Sequence, residues 1–231
     1  MKDKISLKVS AFSDLHGNLI EIPKCEVAFM CGDFSPVAYD RNLQAVLQWI
    51  QAFMIPWLVK YKSNYEKFVF IAGNHDFVCM WEGWKEWFQN QLVENNLEDV
   101  VIYLEDSTYQ YKGIDIYGCP HSEIYGWAFH SNNVEDYTPP PQADIMLVHA
   151  APNAGGLGDT ILGGRNRSFG SNCLLNGIST PCLNLQYLFC GHIHEGSHVP
   201  YKYDNITMYN VSILDERYQV HFEPLVITLE F

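Results

Sequence analysis

The chain has 231 residues, of which 48% are hydrophobic and 18% are charged, and its formal net charge is −13. This composition supports one substantial core and excludes an intrinsically disordered protein. Binding to duplex nucleic acid requires positive side chains that neutralise several phosphates, and a net negative charge opposes this, so long nucleic acid is not expected as a partner. We expect one domain over residues 1–231 and no membrane partner, because the sequence contains no long apolar run.

Four short apolar runs are rich in β-branched or aromatic residues, have the length of a strand, and reach Gly, Asp or His within two residues of their end. They are residues 7–12, 27–30, 68–71 and 145–148. Each run leads into a motif whose side chains can bind metal ions. We therefore expect those side chains on loops at strand ends, where a rigid sheet holds them in place.

Apolar residues at helical spacing predict a helix over residues 41–62, with Pro56 at a kink or at its end. The apolar face of this helix consists of Leu43, Val46, Leu47, Ile50 and Phe53. A second helix is predicted over residues 81–95, and a third is predicted to begin near Ser171.

The second half of the sequence carries two hairpin signatures. They are residues 109–117, with Lys112-Gly113 at the turn, and residues 201–209, with Asp204-Asn205 at the turn. We expect this half to be more antiparallel than the first, and the whole chain to form two packed sheets with helices outside. The proline-rich residues 134–142 are expected to form a stiff surface connection.

The seven cysteines form no C-x-x-C pair, and their odd number precludes complete internal pairing. They are residues 25, 31, 79, 119, 173, 182 and 190. We expect reduced thiols, with Cys31, Cys119 and Cys190 acting as small core residues in apolar runs. Residues 1–5 lack the apolar stretch of a signal peptide, so we expect a soluble cytoplasmic protein.

Five motifs that can carry metal ligands follow one another along the chain. They are Asp14-Leu15-His16, Gly32-Asp33, Gly73-Asn74-His75-Asp76, Val148-His149 and Gly191-His192-Ile193-His194. Leaving aside His75 and Asp76, they supply two aspartates, four histidines and one asparagine, which are the oxygen and nitrogen ligands that two divalent ions need. Taken alone, Asp33 is typical of a turn and His149 of a buried histidine. All five motifs in this order favour metal ligation.

The order and spacing of these motifs resemble those of the calcineurin-like metallophosphoesterase superfamily. The chain looks most like its small single-domain group, which includes metallophosphoesterase-domain-containing proteins and some cyclic-nucleotide phosphodiesterases. Further resemblance lies in residues 71–75, 104–107, 117–120 and 191–196. The resemblance implies an α/β fold, a four-layer α/β/β/α sandwich in which two mixed β-sheets are flanked by helices.

The resemblance also implies which residues bind each ion. One metal ion would take Asp14, His16, Asp33 and His194, and the other would take Asp33, Asn74, His149 and His192. Asp33 would then bridge two divalent ions, for which Mn, Fe, Zn and Ni are all suitable and Mn is favoured in vitro. A metal-bridging hydroxide would attack the phosphoester in line. The ions and their ligands carry a net charge of about +2, which attracts phosphate.

His75 follows the ligand Asn74 and resembles the family histidine that contacts phosphate and protonates the leaving group, a catalytic role. Its orienting carboxylate is either Asp76 or Asp40, and the sequence does not separate them.

Three residues are candidates for contacts to substrate. Arg165 and Arg167 lie in the glycine-rich residues 152–170, and either could contact a phosphate or stack on a base. The alternative is a loop that its charges keep soluble. Asn18 also follows the first motif in the family's manner, although Gly-Asn favours a turn by itself.

These residues predict a dinuclear phosphohydrolase that cleaves a small phosphoester, and a phosphodiester such as a (cyclic) nucleotide is favoured. The alternatives are a phosphomonoesterase or protein phosphatase, and a non-catalytic scaffold that uses its surface for protein binding. The sequence after Gly32-Asp33 lacks the G-D-x-V-D-R-G form of phosphoprotein phosphatases, which disfavours that activity. The intact ligand set argues against the scaffold.

Overall fold

The computed structural model describes residues 5–162, 165–181, 183–195 and 198–231, without the side chains of residues 160–162, 165 and 166. The strands within these residues are β1 (Ser6–Phe12), β2 (Val27–Cys31), β3 (Lys67–Ile71), β4 (Val101–Tyr103), β5 (Ser107–Tyr111), β6 (Ile114–Cys119), β7 (Ile145–Val148), β8 (Asp159–Leu162), β9 (Arg165–Ser168), β10 (Tyr187–Cys190), β11 (Tyr201–Tyr203), β12 (Ile206–Asn210) and β13 (Leu225–Glu230). The four strands predicted to precede motifs are confirmed as β1, β2, β3 and β7.

The first sheet has the strand order β13-β1-β2-β3-β4. Strands β1 to β4 are parallel, and β13 pairs antiparallel with β1. The carboxyl ends of its three central strands therefore meet at one edge, and the loops that follow them lie side by side.

The second sheet has the order β11-β12-β10-β7-β6-β5. Both predicted hairpins are present, as β5 with β6 and as β11 with β12. The second half is more antiparallel than the first, as predicted, since β5 with β6, β8 with β9 and β11 with β12 pair antiparallel. At the centre of this sheet, however, β6, β7, β10 and β12 are parallel. The connections that precede β7 and β10 are long enough to cross over the sheet and return in the same direction.

Each sheet buries both of its faces, which produces four layers. Along β2, Val27 and Phe29 face the core between the sheets, whereas Ala28 and Met30 face the core under the helices of the first half. On β7, Leu147 likewise faces the core between the sheets. The predicted four-layer arrangement of two mixed sheets flanked by helices is confirmed.

The predicted first helix is present but is not one regular helix. It consists of α1 (Leu43–Trp49), a π-helical turn (Ile50–Met54), α2 (Ile55–Tyr61) and a 3₁₀ turn (Lys62–Asn64). Pro56 lies in the first turn of α2 and cannot donate a backbone hydrogen bond, and the wider π turn precedes it. That turn rotates the apolar face, so Phe53 is 57% exposed although it was predicted to pack.

The other two predicted helices are α3 (Trp84–Glu94) and α4 (Asn172–Ile178). The hydroxyl of Ser171 caps α4 by accepting the N–H of Leu174 at 2.9 Å. A 3₁₀ turn (Phe77–Met80) precedes α3.

The expectation that residues 134–142 form a surface connection is wrong, because part of this segment is buried. It contains a 3₁₀ turn (Val134–Tyr137), and Tyr137 is fully buried in the core outside the second sheet. The hydroxyl of Tyr137 donates to the carbonyl of Ser131 at 2.9 Å, which satisfies its polar atom. A large aromatic side chain therefore anchors this segment.

The glycine-rich residues 152–170 contain the two-stranded hairpin of β8 and β9 rather than only a loop. Its turn residues 163 and 164 are outside the described residues. As predicted, the thiols of Cys31, Cys119 and Cys190 are free and buried. Among the helices that the structure describes, none has the length and hydrophobicity needed to span a bilayer.

Candidate metal centre

The predicted ligands lie on loops at the carboxyl ends of five parallel strands, β1, β2, β3, β7 and β10. The first sheet contributes Asp14, His16, Asp33 and Asn74, and the second contributes His149, His192 and His194. The two sheets present these ends at the same side of the molecule, so residues up to 178 positions apart in sequence come into contact. The arrangement that strand-end motifs predict is present.

Two motif glycines allow the loops to approach closely. A Cβ atom at Gly73 would lie 2.3 Å from Oδ1 of Asp33 and 2.7 Å from Cε1 of His149. A Cβ atom at Gly191 would lie 2.5 Å from Oδ2 of Asp14. Any larger residue at either position would displace a candidate ligand, which explains why glycine is needed there.

The backbone is strained at four candidate ligands. Asp14, His16, Asp33 and His192 have φ angles of 58°, 42°, 55° and 71°, in the left-handed region that residues other than glycine rarely adopt. Hydrogen bonds hold the loops in place, since the N–H of Asp14 donates to the carbonyl of Gly32 at 3.0 Å and that of His16 donates to Asp33 at 2.9 Å. Strain of this kind is concentrated at functional sites.

Asp14 and His194 form one side of the cluster. Nε2 of His194 lies 3.6 Å from Oδ1 of Asp14, and Nδ1 of His194 lies 3.2 Å from the carbonyl oxygen of Asp215. A hydrogen bond from Nδ1 to this carbonyl leaves Nε2 directed towards Asp14 and available as a ligand. The carboxylate of Asp14 also accepts the backbone N–H of His192 at 3.0 Å, which ties the two strand ends together.

Asp33 lies at the centre of the cluster. Its Oδ2 atom is 3.6 Å from Nε2 of His16 and 3.3 Å from Nε2 of His149. Its other oxygen, Oδ1, accepts the backbone N–H of His75 at 2.8 Å, which fixes the carboxylate plane. One carboxylate oxygen therefore faces a histidine from each sheet.

His149 completes the other side of the cluster. Its Nδ1 atom lies 2.9 Å from the carbonyl oxygen of Cys31, and its Nε2 atom lies 2.8 Å from Oδ1 of Asn74. The ring of His192 lies 5.1 Å from the ring of His149. Donation from Nδ1 to Cys31 again leaves Nε2 facing the oxygens of Asn74 and Asp33.

Burial and mutual charge set the protonation of these groups. Burial lowers the pKa of His16 and of His192 to about 4, so both imidazoles are neutral at pH 7. Burial opposes the charge of Asp33, but the charge of His149 outweighs it and holds the pKa of Asp33 well below its usual range. Burial also opposes the charge of His149, but Asp33 raises the pKa of His149 to about 9.

The donor set fits divalent cations. Both ring nitrogens of His16 are buried without a hydrogen-bond partner, which is costly for a polar atom unless something else satisfies it. Metal-binding atoms lie within 4.8 Å of one another in three overlapping groups, namely Asp14, His16 and His194; His16, Asp33 and His75; and Asp14, Asp33 and His149. Mixed imidazole, carboxylate and amide ligands suit first-row divalent metals.

His75 stands beside this cluster. Its Nδ1 atom lies 2.9 Å from Oδ2 of Asp40, and its ring lies 4.7 Å from the ring of His16. The ring of Trp127 lies 4.3 Å from the ring of His75. Of the two carboxylates that the sequence left open, Asp40 is the one that orients His75.

Asp76 has a different role, because its buried carboxylate accepts backbone N–H groups. These come from Gly73 at 2.7 Å, Asp33 at 2.8 Å and Ser35 at 2.9 Å. Burial and the neighbouring charge of Asp33 raise the pKa of Asp76 to about 6. Asp76 therefore joins the loops after β2 and β3 and holds Asp33 in place.

The predicted substrate contacts are less well placed. The side-chain amide of Asn18 donates to the carbonyl of Leu15 at 2.9 Å. This contact supports the alternative that Gly17-Asn18 forms a turn. Arg167 is exposed on β9, and the side chain of Arg165 is outside the described residues.

Tyr218, which the sequence did not indicate, lies over the cluster. Its ring is 4.9 Å from the ring of His16 and 4.8 Å from that of His194, and it is 42% exposed. Its φ angle of 60° is again left-handed. No motif marks this residue, so only the folded chain reveals it.

Arg41 and Trp127 also lie at this end of the molecule without a motif. The guanidinium carbon of Arg41 is 4.3 Å from the centre of the Phe77 ring and 5.1 Å from that of Trp127. Arg41 also donates to the carbonyl of Gly126 at 3.1 Å, which holds the loop that carries Trp127.

The fold and the cluster define a class of protein. The chain belongs to the calcineurin-like phosphoesterase family, whose sequence model matches residues 7–196, and it is a hydrolase that acts on phosphoester bonds. It is 29% identical over 241 aligned residues to metallophosphoesterase domain-containing protein 1 of Homo sapiens, with 94% of this chain and 69% of that protein covered. The protein of the same name from Mus musculus matches with the same values.

A solved structure has a similar fold. It is the phosphopantetheinyl hydrolase PptH of Mycobacterium tuberculosis, with a TM-score of 0.51, 14% sequence identity, and 91% of this chain and 90% of that chain covered. The resemblance to the metallophosphoesterase superfamily that the sequence predicts is confirmed.

Proposed function

We propose that this chain, as one domain over residues 1–231, is a dinuclear metal-dependent phosphohydrolase that cleaves a small phosphodiester such as a (cyclic) nucleotide. The proposal rests on one observation above all. Oδ2 of Asp33 lies 3.6 Å from Nε2 of His16 and 3.3 Å from Nε2 of His149, so one oxygen is shared by the two halves of the cluster. A shared carboxylate is the ligand that a pair of ions requires.

The remaining ligands would divide between two ions on either side of Asp33. We assign Asp14, His16 and His194 to one ion, and Asn74, His149 and His192 to the other. When bound, such ions lower the pKa of coordinated water from about 15.7 to about 7, which supplies a nucleophile at neutral pH. Manganese in vitro and the cytoplasm remain the predicted metal and compartment.

His75 would protonate the oxygen of the departing group. Asp40 accepts from Nδ1 of His75 and holds the ring in one orientation, so Nε2 is the nitrogen that carries the transferred proton. The rings of Trp127 and His16 both pack against His75 and restrict its rotation. This arrangement serves a leaving group of high pKa best, because such a group needs a proton most.

The test compares bis-p-nitrophenyl phosphate with p-nitrophenyl phosphate, each with Mn²⁺ and with or without a chelator. We expect turnover that the chelator abolishes and a higher kcat/KM for the diester. A higher kcat/KM for the monoester would replace the proposal with a phosphomonoesterase. No turnover of either substrate by the metal-loaded protein would favour a scaffold.

A further inference from the structure

A cavity of about 370 Å³ opens beside the metal centre. His192 lines it, together with Ala150, which follows His149, and Phe169, which follows β9. Its volume falls within the range of small-molecule sites, which begins at about 300 Å³. A candidate metal ligand in the wall of a cavity of this size places any occupant next to the reacting phosphate.

The cavity and the proposed proton donor adjoin candidate ligands that we assign to different ions. His192 packs against His149, with ring centres 5.1 Å apart, whereas His75 packs against His16, with ring centres 4.7 Å apart. The departing group of a phosphoester must lie at His75 in order to receive its proton. A group in the cavity is therefore the one that stays on phosphorus.

This distinction separates diesters from monoesters. A monoester has one organic substituent, which leaves, whereas a diester has a second substituent that is retained in the product. We infer that this cavity binds the retained substituent of a phosphodiester, and that this substituent is an uncharged planar ring. The inference rests on the proposed function and specifies its substrate class.

The lining of the cavity indicates the chemistry of its occupant. Phe169 is 51% exposed and offers the face of its ring for stacking, and Ile124 and Ile193 add apolar walls. Glu123 is the charged residue in the described part of the lining. A negative carboxylate repels an anionic substituent such as a second phosphate, and it accepts hydrogen bonds from ring amino groups.

The experiment uses three substrates that share the p-nitrophenolate leaving group. Bis-p-nitrophenyl phosphate retains a ring, methyl p-nitrophenyl phosphate retains a methyl group, and p-nitrophenyl phosphate retains nothing. Phe169→Ala should lower kcat/KM for the first about tenfold, in keeping with the loss of one stacking contact, and should leave the other two unchanged. Because kcat/KM is insensitive to non-productive binding, the comparison isolates the retained group.

The matched control is Phe53→Ala, which removes a similarly exposed ring on the helical layer and should change none of the three values. The charge of the cavity is tested with 4-carboxyphenyl p-nitrophenyl phosphate. Glu123→Gln should raise kcat/KM for this substrate about fivefold relative to bis-p-nitrophenyl phosphate. An equal effect of Glu123→Gln on both substrates would overturn the exclusion of anionic groups.

Calorimetric titration gives a second readout that needs no turnover. Phenyl phosphate should bind the Mn²⁺-loaded protein about tenfold more tightly than inorganic phosphate, and Phe169→Ala should remove this advantage. Equal falls in kcat/KM for all three substrates, or no fall in any, would overturn the assignment of the cavity. If the wild type hydrolyses none of them, the proposed function fails, and the titration alone decides whether the cavity binds a ring.

Discussion

Nδ1 of His75 lies 2.9 Å from Oδ2 of Asp40, a residue 35 positions earlier in the chain. The side chains of His75 and Asp40 are 10% and 13% exposed, so the contact is largely shielded from water. A carboxylate in this position fixes which imidazole nitrogen faces the cleft. Mutation of either residue of the pair should therefore affect catalysis without affecting metal binding.

We predict that His75→Ala lowers kcat by about 10²- to 10⁴-fold while the protein retains its metals, because general acid catalysis is lost and the ligands are untouched. Asp40→Asn should lower kcat by about 10- to 100-fold, because the imidazole loses its orienting partner. The measurements are kcat for aryl phosphodiesters of increasing leaving-group pKa and metal content by elemental analysis. Both losses should grow with that pKa.

The control for Asp40→Asn is Asp106→Asn, which disrupts another histidine pair. Nε2 of His121 lies 2.9 Å from Oδ2 of Asp106, the same distance as in the His75 pair. This variant should retain wild-type kcat. An equal loss in both variants would show that Asp40 acts through stability rather than through His75.

The order of motifs was sufficient to predict which residues meet. Strand-end positions for Asp14, Asp33 and His149 follow from local patterns, since each comes after an apolar run of strand length. Parallel pairing within the first sheet then brings Asp14 and Asp33 together. The approach of His149 depends on the packing of the two sheets, which the family resemblance implied. The two sheets and their helical layers follow from the same alternation.

Other features depend on packing between distant segments, which no local pattern encodes. Asp40 and Asp76 were equivalent in the sequence, and only the folded loops distinguish them. Tyr218 and Trp127 carry no motif, and each reaches the cluster from a loop. The parallel centre of the second sheet depends on long connections. The spacing of the strands in the sequence does not specify the direction in which the chain returns to the sheet.

The central position of Asp33 predicts that Asp33→Asn loses metal and activity together. Replacing the carboxylate removes a negative charge that faces both His16 and His149. Elemental analysis after dialysis should show less metal than in the wild type, and hydrolysis of bis-p-nitrophenyl phosphate should be abolished. The matched control is the exposed Asp99→Asn, which should retain both properties. Wild-type metal content in Asp33→Asn would refute the bridge.

The close approach at Gly73 predicts that Gly73→Ala lowers metal affinity, and not only the free energy of unfolding. The added methyl would lie 2.3 Å from Oδ1 of Asp33, so the carboxylate must move. Gly113→Ala is a suitable control, because its Cβ meets nothing within 4 Å although φ is 82°. Gly113→Ala should cost about 1–2 kcal/mol of unfolding free energy and leave metal affinity unchanged. Equal metal affinity in both variants would contradict the argument.

The ring of Tyr218 predicts a difference between two substitutions. Tyr218→Phe retains the contacts to His16 and His194 and should retain metal affinity. Tyr218→Ala removes the ring that packs against both imidazoles and should weaken metal binding about 10-fold, chiefly through His16, whose ring nitrogens have no hydrogen-bond partner. Calorimetric titration with Mn²⁺ measures both. If the Phe variant binds as weakly as the Ala variant, the hydroxyl rather than the ring is responsible.

The charge of Asp33 predicts that metal affinity rises with pH. In the metal-free protein Asp33 raises the pKa of His149 to about 9, so His149 is protonated at pH 7. A metal ion binds only the neutral imidazole, and binding at pH 7 must therefore release this proton. Apparent Mn²⁺ affinity should increase as pH rises from 7 towards 9 and level off above that value.

Calorimetric titrations in two buffers of different ionisation enthalpy measure the released protons directly. About one proton per protein should be released from His149 at pH 7, and close to none above its raised pKa. His194 adds to this release, since burial opposes its charge but its hydrogen bond to Asp14 raises its pKa. His16 and His192 contribute little to this count, because burial lowers the pKa of each to about 4 and both are already neutral. Affinity and proton release that do not change between pH 7 and 9 would contradict the coupling of Asp33 to His149.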